Sequence, residues 1–219
     1  MPRARDLTAV GDDLISSIFR TVLSLQSSVP DSILFGSLFM YFITHSLSYG
    51  VLAIFIIELM LSHELISWLL VETNGPLPRT ADEKCRVGFK QIQQNVDRIF
   101  SHNPYPSYGI FSMTGLATYL GLATYDMADT VKALGAAWEG HNLVAYIFIG
   151  LILCAVIFSR LVICDDMGEV IMAVVLAFLC SAVFFYVNKY LFGKEAMNFL
   201  GLPYLVNKQE KGNAVYVCS

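Results

Sequence analysis

Charge is what this chain lacks over long distances. Residues 32–57, 143–159 and 170–188 contain no Asp, Glu, Lys or Arg. Charged residues make up 15% of the 219 and hydrophobic ones 56%, whereas soluble domains carry roughly 25% charge. Uncharged runs near 20 residues match a hydrocarbon core roughly 30 Å thick. The expected fold class is all-α, a polytopic transmembrane helical bundle of about four spans with amphipathic interfacial helices. A net charge of −4 leaves no basic footprint for nucleic acid. Cysteines are scattered: Cys85, Cys154, Cys164, Cys180 and Cys218 form no C-x-x-C pair and stand beside no histidine cluster. No disulfide framework, metal site or cofactor is therefore expected. Cys154 and Cys180, inside apolar runs, read as small packing residues. No Asn-x-Ser/Thr acceptor occurs, which disfavours a heavily glycosylated cell-surface protein. The opening MPRARDLTAVGDD lacks the apolar stretch of a signal peptide. Pro2 and the penultimate Cys218 fit neither myristoylation nor prenylation.

What is present divides the chain into three parts. Residues 1–29 form an amphipathic N-terminal segment, with Leu14, Ile15, Ile18, Phe19, Val22 and Leu25 at helical spacing. Residues 30–192 form the transmembrane helical domain, interrupted by a polar loop at 71–107. Residues 193–219 are a polar C-terminal tail. Pro30-Asp31 is a helix start, and the helix it opens reads on to about Leu70. That is near 60 Å at 1.5 Å per residue. The spacing favours one tilted span with an amphipathic extension beyond Glu58. A hairpin broken at residues 44–50 would leave its first arm about 14 residues, too few to cross. The next span, 107–125, is short and rich in small residues. Ala117 and Gly121, four apart within GLATYLGLATY, offer a close approach to another helix. Spans at 143–159 and 170–192 follow. Four spans place both termini on one side, with eight Lys/Arg against six on the other. This balance favours cytoplasmic termini.

On this topology Pro106-Ser107 opens one span and Ser159-Arg160 ends another on the same membrane face. A phosphate site needs such a set: a guanidinium, hydroxyls and helix N-terminal N–H groups. YPSYGIFSMTGLATYLG (105–121) and SRLVICDDMGEV (159–170) resemble the second and third motifs of the type 2 phosphatidic acid phosphatase superfamily. That family carries Lys-x6-Arg-Pro, then Pro-Ser-Gly-His, then Ser-Arg-x5-His-x3-Asp. The resemblance covers roughly residues 75–192 and implies a phosphate-binding remnant of Pro106, Ser107, Ser159 and Arg160. The departures fall on the catalytic positions. Tyr108 and Gly109 stand where Gly and His belong. Asp166 stands at the nucleophilic histidine and Val170 at the aspartate that orients it, with Glu169 adjacent. For the first motif only Pro78-Arg79 remains. Without the imidazole nucleophile and the assisting histidine the family's chemistry has no agent. The resemblance therefore implies a degenerate, non-catalytic member.

Other polar residues carry weaker signals. His102 precedes Pro104 and reads as a solvated loop histidine. His45 and Glu58 fall in or near the first span, where ionisable groups are functional candidates. His45 reads as a partner for a neighbouring helix and Glu58 as an interface marker. His63-Glu64 begins like a zinc helix motif, but Ser67 stands where the second histidine belongs. Asp165-Asp166 reads as a solvated loop pair. Apolar spans without charge rings disfavour a channel.

The expected role is structural: a membrane anchor for other protein subunits, engaged through the N-terminal helix, the 71–107 loop and the tail. Polar tails become ordered when partners hold them, as in a large assembly such as a virion with an internal membrane. No residue marks a viral origin. The alternatives are a lipid phosphate phosphatase using Asp166 or His102, and a lipid-headgroup or anion-binding protein built on Ser107, Ser159 and Arg160.

Overall fold

The computed structural model describes residues 28–74, 105–133, 140–198, 204–206 and 215–217. The helices are α1 (Ser28–Thr44), α2 (Leu47–Asn74), α3 (Tyr108–Asp126), the short α4 (Ala128–Ala133), α5 (His141–Ile163) and α6 (Met167–Phe192). A 3-10 turn, Lys194–Met197, follows α6. Strands β1 (Tyr204–Val206) and β2 (Val215–Val217) pair antiparallel in the tail, with Leu205 opposite Tyr216. The helical expectation holds for the body of the chain, and this small ladder is an addition to it. Stretches within α2, α5 and α6 are long and apolar enough to cross a membrane. The amphipathic helix expected over 7–28 falls almost wholly outside the described residues.

One expectation is overturned. Residues 31–70 are not a single helix. The helix breaks at His45-Ser46, where His45 takes a left-handed backbone (φ 52°), a region in which histidine is enriched among non-glycine residues. Thr44 shapes the break. Its Oγ1 donates to the Met40 carbonyl (2.7 Å) and accepts from the Ser46 N–H (3.3 Å). α1 then lies antiparallel along α2. The Tyr41 ring sits 3.1 Å from the point where a Cβ on Gly50 would stand, and Pro30 and Ile33 reach Phe55 and Leu59. α1 starts at Ser28, so this arm is longer than the roughly 14 residues expected. Its 17 residues span about 25 Å. As a result Ser28 and Gly193 lie at opposite ends of the bundle, not on one side as a four-span count requires. His45 is an exposed residue of the turn.

The core forms where α2, α3 and α6 meet. Val51, Leu52, Phe55, Ile56 and Leu59 supply the α2 stripe, facing Phe111, Tyr119 and Ala123 of α3 and Ala177 and Phe185 of α6. Phe55, Tyr119 and Phe185 stack in sequence, with centroids 4.5 and 5.4 Å apart. The close approach depends on Gly115. A Cβ there would stand 2.5 Å from a Leu59 methyl and 2.8 Å from Ser181 Oγ. Gly121, the expected contact glycine, has nothing within 4 Å of such a position. The tail also begins differently from a free polar segment. Ala196 and Met197 return to the core, Tyr119 OH reaches Met197 Sδ (3.9 Å), and Ser48 Oγ donates to the Glu195 carbonyl (3.3 Å). A smaller cluster of Ile110, Val170 and Ala173, with Ile157 and Leu161 against it, joins α3, α5 and α6 near Ser107.

Candidate functional site

The last turn of α5 builds the site. Cys164 and Asp165 both donate their backbone N–H to the Arg160 carbonyl (2.7 and 2.9 Å). This six-to-one closure is of the kind that ends helices in a tight turn. It returns the Asp165 side chain to the Arg160 guanidinium. Arg160 Nε donates to Asp165 Oδ2 (2.7 Å) and Nη2 to Oδ1 (3.3 Å), a two-point grip. Ser107, at the N-cap of α3, closes the triangle. Its Oγ accepts from Arg160 Nη2 (2.9 Å) and donates to Asp165 Oδ2 (2.7 Å). All three residues are buried, with exposures of 4% (Arg160), 7% (Asp165) and 0% (Ser107). The carboxylate also sits where the α3 dipole is positive.

The structure thus brings together Ser107 and Arg160, as expected, and adds Asp165, which was expected in solvent. The sequence signal for Asp165 was its position five residues after Arg160 at a helix end. Pro106 is buried beside Ser107, and the Tyr105–Pro106 peptide is cis. Its carbonyl accepts from His63 Nε2–H (2.6 Å), and the His63 ring packs edge-on against Tyr108 and Phe111 (5.0 and 5.1 Å). His63, set aside as half of a zinc motif, pins α2 to the start of α3. It lies on the buried stripe with Leu52, Ile56, Leu59 and Ser67, so helical periodicity would have placed it inside.

The other described candidates show contacts of their own. Ser159 is buried, but its Oγ donates to the Val156 carbonyl of its own helix (2.8 Å). Gly109 is buried and its carbonyl accepts from Ser112 Oγ (3.3 Å). Asp166, at the family's nucleophile position, is exposed at the N-cap of α6. Val170 packs with Ile110 and Ala173. Pro78-Arg79 and His102 lie outside the described residues. No set of three metal-ligating side chains occurs among the described residues. A crevice between α1, α2 and α3, lined by Pro30, Ile33, Phe55, Leu59, Tyr108 and Met113, has about 10 Å³ of free space. That is room for about one water, not for a substrate.

The expectation of no disulfide is also overturned. Cys164 is disulfide-bonded, to a partner outside the described residues. Five scattered cysteines show no spacing signature because a bridge can join segments distant in sequence. Cys154 and Cys180 are free; Cys180 is half-buried, whereas Cys154 is exposed on α5 and not the packing residue expected. No family model, curated protein or solved structure matches this chain.

Proposed function

We propose that the protein is a non-catalytic integral membrane scaffold whose anion site is occupied by its own carboxylate. One observation carries this reading: Asp165 already fills the donor set of Arg160 and Ser107. A phosphate group entering there must displace a carboxylate tethered five residues away, whose effective concentration is on the order of millimolar or higher. The closed triangle then serves packing. It fastens the end of α5 and the start of α6 to the start of α3. On the degenerate phosphatase-like scaffold, this is the phosphate pocket turned into a structural joint. Partner subunits would bind through residues 1–27, 75–104 and the tail beyond Asn198.

In this proposal α1, α2, α3, α5 and α6 each cross the bilayer. The end bearing Ser107 and Cys164 faces an oxidising compartment, because disulfides persist there. The opposite end faces the cytoplasm. Lys132, Lys189 and Lys194 all lie at that end, and Arg160 is the one other cation among the described residues. Over the full sequence this order puts nine Lys/Arg at the Ser107 end and five at the other, so the orientation proposed here rests on the disulfide and runs against the positive-inside bias.

The test is phosphate release from phosphatidic acid and prenyl diphosphate by the purified protein in detergent. No turnover is expected, from the native chain or from Asp165→Asn. Turnover abolished by Arg160→Ala would overturn the scaffold reading. A second reading, lipid-headgroup binding, is favoured by the meeting of Ser107 with Arg160. It predicts an anionic lipid that co-purifies with the native protein and is lost in Arg160→Ala.

A further inference from the structure

A second polar centre lies inside the bundle, away from the Arg160 joint. Glu58 stands eleven residues into α2, about 16 Å along the helix, in a stretch long and apolar enough to cross a membrane. Its Oε2 accepts from Asn188 Nδ2 of α6 at 2.7 Å. Asn188 is fully buried, and its Oδ1 has no hydrogen-bond partner. Ser181 Oγ, about two turns earlier on the same face of α6, is likewise buried and unpartnered, as is Thr114 Oγ1 of α3. Glu58 itself is half-buried, at the edge of an outward stripe of Ile54, Ile57, Leu61 and Leu65.

We infer that Glu58 and Asn188 form an intramembrane proton-binding site, in which the Glu58 carboxyl takes up and releases one proton beside the amide. The chemistry follows from what surrounds the pair. An ionised carboxylate within a membrane-spanning stretch is costly without a cation. Titratable groups on the packed elements include Cys180, Tyr186 and Lys189 of α6, Tyr119 and Asp126 of α3, and Lys194 and Glu195 of the 3-10 turn. Lys189 is bound to Asp126 at 2.6 Å, Cys180 pairs with Ser62 on α2, and Tyr119 reaches Met197. Among the described residues no cation is paired with Glu58, so a proton neutralises it. The amide suits both states. Its NH2 donates to a carboxylate, and after rotation by half a turn its carbonyl accepts from a carboxylic acid, the two orientations being alike in shape. The unpartnered oxygens of Asn188, Ser181 and Thr114 are too few and too dispersed for a dehydrated metal ion, and the described residues hold no metal-ligating triad.

The inference rests on the bilayer reading and is independent of the scaffold role. Stable incorporation into lipid nanodiscs reports the bilayer reading separately. The test is labelling of the full chain in nanodiscs with dicyclohexylcarbodiimide, which partitions into the bilayer, and with a water-soluble carbodiimide. A carboxylic acid adds through oxygen to the carbodiimide carbon while its proton passes to nitrogen, and acyl migration leaves a stable N-acylurea that peptide mass spectrometry locates. The expected adduct is on Glu58, at least tenfold stronger with the apolar reagent, and declining as pH rises. It is absent in Glu58→Gln, and its pH midpoint moves in Asn188→Leu. Labelling confined to Glu64 or Glu72 would overturn the inference. So would a pH profile unchanged in a folded Asn188→Leu, which marks the bond as structural only. Protection of the native chain by sodium, which needs no variant, would replace the proton with a metal cation.

Discussion

α3 and α5 are neighbours of similar length, and their fates are opposite. α5 is the more apolar, yet only 11% of its most apolar window is buried against other helices. α3 carries Ser112, Thr114, Gly115, Thr118 and Thr124 and is less apolar, yet nine of its nineteen residues are buried. In water the ranking would be reversed, because apolar area seeks the interior. In lipid the apolar drive between helices is missing, and small and hydroxylated residues make the contacts. Thr118 and Thr124 also return their hydroxyls to carbonyls one turn back (2.8 Å each), so these two add no unmet donors. Hydropathy therefore marks the helix whose flanks stay exposed, and smallness marks the helix that others pack around.

The largest break in this contrast is expected at the joint that ties the two helices together. Arg160→Ala leaves the Asp165 carboxylate buried beside Ser107 without its cation. A loss of about 3–5 kcal/mol is the usual scale for one partner of a buried pair, read by denaturant unfolding in mixed micelles. Gly115→Ala comes next. The new methyl overlaps Leu59 and Ser181, and overpacking of this sort costs about 1–3 kcal/mol. The same substitution at Gly150 of α5, with open space around it, is expected to be neutral or slightly stabilising in the same experiment. A pair of equal losses would erase the distinction between a packing helix and a lipid-facing one. Lys189→Ala removes an ion pair at the opposite end, where the lysine side chain is 30% exposed. Its expected cost is about 0–1 kcal/mol, several-fold below Arg160→Ala. The smallest effect is expected for Phe148→Leu on the outer face of α5, within about 0.5 kcal/mol of native.

The candidate site was half legible. Pro106-Ser107 and Ser159-Arg160 announced that a helix start and a helix end share a face, and Ser107 does meet Arg160. The pattern did not tell which of two adjacent aspartates turns inward. Asp165 bonds Arg160 while Asp166 stays exposed, because one residue of rotation at a helix end separates a folded-back side chain from a solvated one. Glu58 was legible as an ionisable group in an apolar run. Its partner, 130 residues away, was not. The hairpin of α1 and α2 turned on three residues, Thr44, His45 and Ser46. Their break rests on a hydroxyl bonding to nearby backbone, a local competition that hydrophobic periodicity does not register.

By itself, the sequence determined that this chain is helical, that its exterior is apolar over bilayer-scale lengths, and which polar pairs stand near helix ends. Those properties depend on composition and on spacing along one segment. Only the tertiary structure decided that Asp165 closes the Arg160 site, that His63 and Gly115 set the helix contacts, and that Glu58 meets Asn188. Each of these depends on the distance between segments remote in sequence or on the rotation of a single turn, and no one-dimensional pattern carries either quantity.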